Sequence, residues 1–314
     1  MTIQHDLERA LGRRVLAVDL VPEGHSGFTY RTHLEGGQQG ILRLPPPGAR
    51  IAGPADIPRQ GRIMQALSGG GLPVPEVIAM SEESIIDGRP FVLMAAVDGE
   101  RIEKVAGLMS DEEVALSGIE ALQRIHALPL EMTGIGDDHA VTPDEEVTRW
   151  VWLMKRAPEQ LTRRAPTLAA LLSANLPPVA QPTLVHGDYH FGNMLFRDRR
   201  VVAILDWEIA EVGQPLLDLA CLSLAARTGR AGAGVPGGGQ VDVADDLLLN
   251  WYGADAAGYW WYLALTYYKY AAIFGYNLML HRRGKRLDPM YESRTETIVE
   301  FIDEGIRLLQ EGSV

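Results

Sequence analysis

His186-Gly187-Asp188-Tyr189-His190-Phe191-Gly192-Asn193, followed downstream by Ile204-Leu205-Asp206-Trp207-Glu208, is the densest polar stretch of the chain, and the rest can be read outward from it. Short apolar runs surround it, Thr183-Leu184-Val185, Met194-Leu195-Phe196 and residues 201–205, so its polar residues fall at the ends of small strands. Two carboxylates and an amide in such a half-buried place are costly unless something charged binds there. Magnesium with polyphosphate would satisfy them, because that cation takes hard oxygen ligands and needs few from the protein when phosphate and water complete its shell.

Taken singly, each residue has an ordinary reading: His186 and His190 as loop residues, Asp188 in a turn, Asp206 as a strand-end cap. A sharper rival is zinc held by His186, Asp188 and His190, since imidazole and carboxylate suit that metal. No other set of histidines has comparable spacing to complete a zinc shell.

Toward the N-terminus the pattern is one of strands. Residues 4–13 place Leu7, Ala10 and Leu11 at helical spacing, and residues 15–21 read as a strand that turns at Pro22-Glu23-Gly24. Residues 28–34 alternate Phe28, Tyr30 and Thr32 against Thr29, Arg31 and His33, and a glycine-containing turn then leads into the apolar run 41–44. This predicts a three-strand antiparallel meander ended by Pro45-Pro46-Pro47. A helix over residues 57–67 stops at Gly69-Gly70-Gly71, an extended segment runs from Pro73 to Met80, and residues 89–97 form an apolar strand ended by Asp98-Gly99. The first hundred residues therefore predict a five-stranded antiparallel sheet with one helix after the third strand.

Toward the C-terminus the spacing becomes helical, over residues 111–128, 144–154, 166–175, 215–227 and 258–282. The last of these is apolar on both faces, with Trp260, Leu263, Tyr267 and Tyr270 on one stripe and Trp261, Leu265 and Tyr268 on another, as in a buried helix. The polar tips of Tyr267, Lys269, Tyr270 and Tyr276 could alternatively line a pocket. Residues 230–240 are glycine-rich and carry a formal G-x-G-x-x-G at Gly232, Gly234 and Gly237, but no strand precedes them and Pro236 interrupts them. They are expected to form a mobile loop rather than a dinucleotide site. The division falls near residue 99, giving a strand-rich part (1–99) and a helical part (100–314), with a cleft expected between them.

The 314 residues include 29 basic and 41 acidic side chains, a net charge of -12, which argues against nucleic-acid or anionic-membrane partners. There are four lysines, Lys104, Lys155, Lys269 and Lys285, and none in the first hundred residues. The single cysteine, Cys221, cannot close an intramolecular disulfide, and a reducing cytoplasm is expected. Residues 1–14 lack a long apolar core, and no stretch approaches the roughly eighteen apolar residues of a membrane span.

The pattern H-G-D-x-x-x-x-N followed by I-x-D-[WF]-[ED] resembles the catalytic segment of the aminoglycoside phosphotransferase and choline kinase-like family, relatives of the protein kinases. The resemblance covers roughly residues 15–283. It implies an α+β, protein-kinase-like bilobal fold, with a nucleotide-binding lobe over residues 1–99 and a helical lobe over 100–314 bearing the catalytic loop and acceptor site. It implies Asp188 as the base that accepts the proton of an attacking hydroxyl, and Asn193 and Asp206 as ligands of Mg2+. His186 would brace the loop and Asp218 would support its backbone. A turn with Gly24, Ser26 and Gly27 would cover the phosphates, while Met94 packs beside adenine and the Ala95 carbonyl and Val97 amide read its edge. Main-chain recognition leaves GTP open beside ATP.

Where such proteins usually place a lysine on the third strand and a glutamate on the following helix, the aligned residues here are Arg43 and Gln60. Gln60 can accept a hydrogen bond from Arg43 but cannot neutralise it, and Gly61 is expected to loosen the helix. Leu42-Arg43-Leu44-Pro45-Pro46 and the late aromatic helix ending at Arg282-Arg283-Gly284 are similar to the branch of kinase-like domains in acyl-CoA dehydrogenase fusion proteins. The expectation is a Mg-ATP-dependent phosphotransferase acting on a hydroxyl of a small molecule, an aminoglycoside or a hydroxyacyl or other metabolite. The alternative is a kinase-fold nucleotide-binding or regulatory protein with weak or no catalysis. Oligomeric state stays open.

Overall fold

The computed structural model describes residues 2–21, 28–105, 107–230, 241–254, 256 and 258–311. The turn with Gly24, Ser26 and Gly27 and the glycine-rich residues 231–240 lie outside the described residues. In chain order the elements are α1 (Ile3–Leu11), β1 (Val15–Leu20), β2 (Phe28–Leu34), β3 (Gln39–Leu44), α2 (Ile57–Gly69), β4 (Val77–Ile86), β5 (Arg89–Ala95), α3 (Ile102–Val105) and α4 (Asp111–His126). There follow α5 (Pro143–Met154), α6 (Ala165–Ala174), β6 (Thr183–Val185), β7 (Met194–Arg197), β8 (Arg200–Ile204), β9 (Glu211–Gly213), α7 (Leu216–Arg230), α8 (Asp245–Tyr252), α9 (Tyr259–Arg282) and α10 (Thr295–Glu311). No helix among the described residues is long and apolar enough to cross a membrane.

Packing divides the chain into two compact units. One comprises Met1–Asp138 with His186–Asp188 and Gly192–Val212, and the other His139–Val185, Tyr189–Phe191 and Gly213–Val314. In the first unit the five strands form one sheet in the order β1-β2-β3-β5-β4, antiparallel throughout. β4 is longer than its sequence signal, reaching Ile86 and turning back through Asp87-Gly88, both at positive φ (48° and 68°), into β5. A two-residue turn with both residues left-handed matches the twist of the strands it joins. Leu7 of α1 joins Val15, Leu34, Leu42, Leu44, Ile86, Phe91 and Leu93 in one buried cluster.

Helix α2 starts where Asp56 accepts a hydrogen bond from the Arg59 amide at 3.0 Å, an N-cap that satisfies a first-turn donor. Helix α2 runs unbroken through Gly61. A Cβ placed there would lie 2.6 Å from Val92 Cγ2 and 2.9 Å from Met80 Sδ, so the missing side chain is what lets α2 lie close on β4 and β5. The glycine is therefore a packing residue.

Helix α4 opens with a capping box, Ser110 accepting from the Glu113 amide while the Glu113 carboxylate accepts from the Ser110 amide. Strands β7 and β8 pair as a hairpin with Arg197 opposite Arg200, and the loop residues Asp198 and Arg199 both take positive φ. Arg199 reaches back to Glu113 of α4, which ties the hairpin to that helix.

The second unit is helical around α9. Tyr267, Lys269 and Tyr270 are all buried, with Lys269 fully so, and Tyr267 meets Phe301 edge-on at 5.2 Å. Core packing therefore accounts for the rings of the two tyrosines, and the Lys269 ammonium lies over the Trp150 and Tyr270 rings at 5.3 and 5.4 Å. Helix α10, absent from the sequence expectation, supplies Ile298, Phe301, Ile302 and Ile306 to this core. At Gly305 an added Cβ would stand 2.6 Å from Leu168 Cδ2, so a glycine permits α10 to close on α6.

Candidate active site

The first unit gathers most of the sequence-predicted residues. Asp188 follows the left-handed Gly187 (φ 81°) in the loop after β6, and Asn193 closes the 3-10 turn Phe191–Asn193 that leads into β7. Asn193 donates from Nδ2 to Asp188 Oδ2 at 3.1 Å and to the Asp188 carbonyl at 3.0 Å. Its amide nitrogen is thus turned to Asp188, and Oδ1, the hard acceptor, is the opposite end of the group. The Asn193 carbonyl accepts from the Leu205 amide at 2.8 Å, which places the residue beside the end of β8.

Asp206 follows β8 with φ 65°, a left-handed conformation uncommon for a residue with a side chain. Such backbone strain clusters at sites where a side chain must point in a set direction. Its neighbour Trp207 is buried and donates from Nε1 to the Ile204 carbonyl at 3.1 Å.

His186 is fully buried. Its Nδ1 accepts from the Asp188 amide at 3.1 Å and its Nε2 lies 2.8 Å from the Leu205 carbonyl, an arrangement satisfied by the neutral ring protonated at Nε2. The ring also packs on Trp207 at 4.6 Å between centroids. Both nitrogens are engaged by backbone, so this histidine has no lone pair to offer zinc and instead couples the Asp188 loop to the Asp206 segment. Among the described residues no group of three or more His, Cys, Asp or Glu side chains could hold a metal.

From the sheet, Arg43 of β3 enters the same site. Its Nη1 donates to Gln60 Oε1 at 3.0 Å, as the sequence leads one to expect, and lies 3.4 Å from Asp206 Oδ1. Its Nη2 is 3.6 Å from Glu208 Oε2. Gln60 is buried on α2, and its Nε2 donates to the Pro54 carbonyl at 3.1 Å, which fixes the amide with its oxygen toward Arg43. Arg59, one residue earlier, donates to the Ala210 carbonyl at 2.8 Å and pairs with Asp138 at 2.7 Å.

Met94, buried in β5, lies opposite Ile41 of β3 and Val77 of β4. Ala95 ends the strand and its amide donates to the Glu76 carbonyl at 2.8 Å; half-buried Val97 lies beyond the strand. Asp218 belongs to the second unit, at the start of α7, fully buried. In that unit burial pushes the Tyr189 phenol well above its ordinary range and the Asp218 charge pushes it further, so Tyr189 stays protonated.

Glu208 and Arg59 are contributors that residue-by-residue reading passed over. The signal for Glu208 is the acidic last position of the Asp206-Trp207-Glu208 motif, whereas nothing local in Arg59 announces a partner 151 residues away.

This sheet, hairpin and polar loop are those of a known group of transferases: the chain belongs to the phosphotransferase enzyme family APH, whose model matches residues 18–259. Among its relatives, acyl-CoA dehydrogenase family member 10 of Mus musculus is 33% identical over 211 residues, 64% of this chain and 20% of that protein. Acyl-CoA dehydrogenase family member 11 of Rattus norvegicus is 32% identical over 222 residues, 68% and 28% of the two. The chain thus matches under a third of these relatives' length, and they are the group to which the Leu42-Arg43-Leu44-Pro45-Pro46 context points.

Solved structures agree on the fold. A candidate aminoglycoside phosphotransferase from Ralstonia eutropha JMP134 superposes with a TM-score of 0.78 at 21% identity, covering 98% of both chains. A thermostable mutant of aminoglycoside phosphotransferase APH(4)-Ia, in ternary complex with ADP and hygromycin B, gives 0.67 at 15% identity over 98% and 99% of the chains. An APH(2″) enzyme in complex with GDP and kanamycin gives 0.65 at 17% identity over 98% and 96%.

Proposed function

We propose that the chain transfers the γ-phosphoryl group of a Mg-nucleotide to a hydroxyl of a small molecule, releasing the nucleoside diphosphate and a phosphate ester. The observation that carries this reading is the 3.4 Å approach of Arg43 Nη1 to Asp206 Oδ1. A cation suited to gripping phosphate and a carboxylate suited to holding magnesium come from distant parts of the sequence to one place.

The donor set fits the metal. Asn193 Oδ1 and the Asp206 carboxylate, which is 37% exposed at its side chain, are hard oxygens of the kind magnesium takes while keeping water and phosphate as its remaining ligands. When bound there, the cation would neutralise charge on the nucleotide phosphates. Asp188 accepts the proton of the acceptor hydroxyl, and the Asn193 amide orients its carboxylate. Arg43 grips phosphate oxygens through its fork of donors. Met94, Ala95 and Val97 form the base-recognition segment. Structural neighbours hold ADP or GDP, which supports a purine nucleotide without selecting the base.

The acyl-CoA dehydrogenase relatives favour a hydroxyacyl or similar metabolite as acceptor, and the aminoglycoside-bound neighbours make antibiotics the comparison class. A second reading, a nucleotide-binding protein with little turnover, is favoured by the neutral Gln60 beside Arg43. Release of ADP or GDP on addition of hydroxyacyl-CoA compounds, sugars, choline-like alcohols, macrolides or aminoglycosides separates the two. Acceptor-dependent release supports the transferase; nucleotide binding with no release across the panel supports the second reading.

A further inference from the structure

The guanidinium of Arg43 is 14% exposed at its side chain, and a charge so enclosed needs a counter-charge to hold its place. Gln60 gives direction but no charge, because the Pro54 carbonyl fixes its amide and its oxygen accepts from Nη1 at 3.0 Å. Asp206 stands 3.4 Å from Nη1, but in the transferase reading its carboxylate is shared with the metal, which weakens its hold on Arg43. Glu208 brings a second carboxylate to Arg43, its Oε2 lying 3.6 Å from Nη2.

We infer that Glu208 is a positioning residue for Arg43, supplying from the Asp206-Trp207-Glu208 segment the negative charge that α2 lacks at Gln60; the inference rests on the transferase reading above. Two anchors set the place of Glu208 independently of Arg43. Before it, Trp207 is buried against His186 and bonded to Ile204. After it, Ala210 donates to the Trp207 carbonyl at 3.3 Å, and its own carbonyl accepts from Arg59 at 2.8 Å. The carboxylate is therefore presented by a braced segment. At 3.6 Å it acts on Arg43 through charge rather than through a directed hydrogen bond, so the isosteric change to glutamine tests that charge.

The test is equilibrium binding of AMP-PNP with Mg2+, measured by calorimetry on wild type, E208Q, E208D and the double variant Q60E/E208Q. Wild type binding no nucleotide contradicts the transferase reading itself. With wild type binding, E208Q is expected to bind about tenfold more weakly and Q60E/E208Q to recover most of the loss, since the charge returns on the other side of Arg43. E208D, one methylene shorter but with the charge kept, is expected to fall between wild type and E208Q, and E208A, which also removes the charge, carries the test if E208Q does not fold. The inference is overturned if the charge-removing variant binds as tightly as wild type, or if E208D binds as weakly as that variant. Tighter binding overturns it too, because Glu208 would then compete with phosphate for Arg43. A double variant no better than E208Q also overturns it.

Discussion

Asn193 holds Asp188 from two sides, donating from one amide nitrogen to the carboxylate at 3.1 Å and to the backbone carbonyl of the same residue at 3.0 Å. In the proposed mechanism a base so held keeps one carboxylate direction, and the asparagine that orients it would also offer an oxygen to the metal. Loss of Asn193 should therefore damage both functions at once. Asn193→Ala is expected to lower kcat by roughly 100-fold or more and also to weaken Mg-dependent nucleotide binding. Steady-state kinetics beside calorimetry measures both; a change in one without the other would separate the two roles assigned to the residue.

Asp206→Ala removes the proposed metal ligand and a neighbour of Arg43 together. Nucleotide affinity is expected to rise with Mg2+ in wild type and to become nearly independent of it in the variant. Titrations with and without EDTA give the comparison, and an unchanged magnesium dependence would sink the ligand role.

Gly61→Ala should destabilise the protein although alanine is the better helix former. Its Cβ would meet Val92 Cγ2 at 2.6 Å, and overpacking of this kind costs about 1–3 kcal/mol. Gly69→Ala, at the end of the same helix with open space around it, is the control and should be neutral or stabilising by up to ~1 kcal/mol. Denaturant unfolding of the pair checks the contrast. Equal effects would contradict the close approach of α2 to β5.

The capping boxes predict a pH effect. The bond from Arg199, then that from the Ser110 amide, hold the Glu113 carboxyl down at about 2, and the Thr142 amide, then His139, do the same for Glu145, also to about 2. A folded-state value below the unfolded one means stability that is present above about 4.5, the ordinary value, and lost as pH falls toward 2. Wild type should melt above E113Q at pH 6, with the gap closing between pH 4.5 and 2. A gap that stays constant over that range would assign the effect to something other than ionisation.

Local signals made much of the fold legible. Alternation in residues 28–34, the turn glycines and the prolines after Leu44 place β2 and β3 at or near their observed bounds, and helix α9 starts and ends within a residue of its expectation. Helix α10, absent from the expectation, carries a local signal too, the helical spacing of Ile298, Phe301, Ile302 and Ile306. Gly61 shows a limit of principle: helix propensity is local, whereas the need for a glycine there comes from Val92 and Met80 on the sheet. In the site, Asp188, Asn193 and Asp206 stand in one compact motif and could be picked out together. Glu208 as the partner of Arg43 could not, because their meeting joins a strand and a loop far apart in sequence and depends on how the sheet, α2 and the hairpin pack.

In the proposed reaction Asp188 is the base for phosphate transfer. The most direct measurement is transfer of label from γ-labelled ATP or GTP to the acceptor found in the release screen, comparing wild type with Asp188→Asn while calorimetry follows nucleotide binding in both. The expected result is label in the acceptor with wild type, a loss of roughly 1,000-fold or more with Asp188→Asn, and nucleotide affinity nearly the same in the two. Transfer by Asp188→Asn at a rate near wild type would contradict the account.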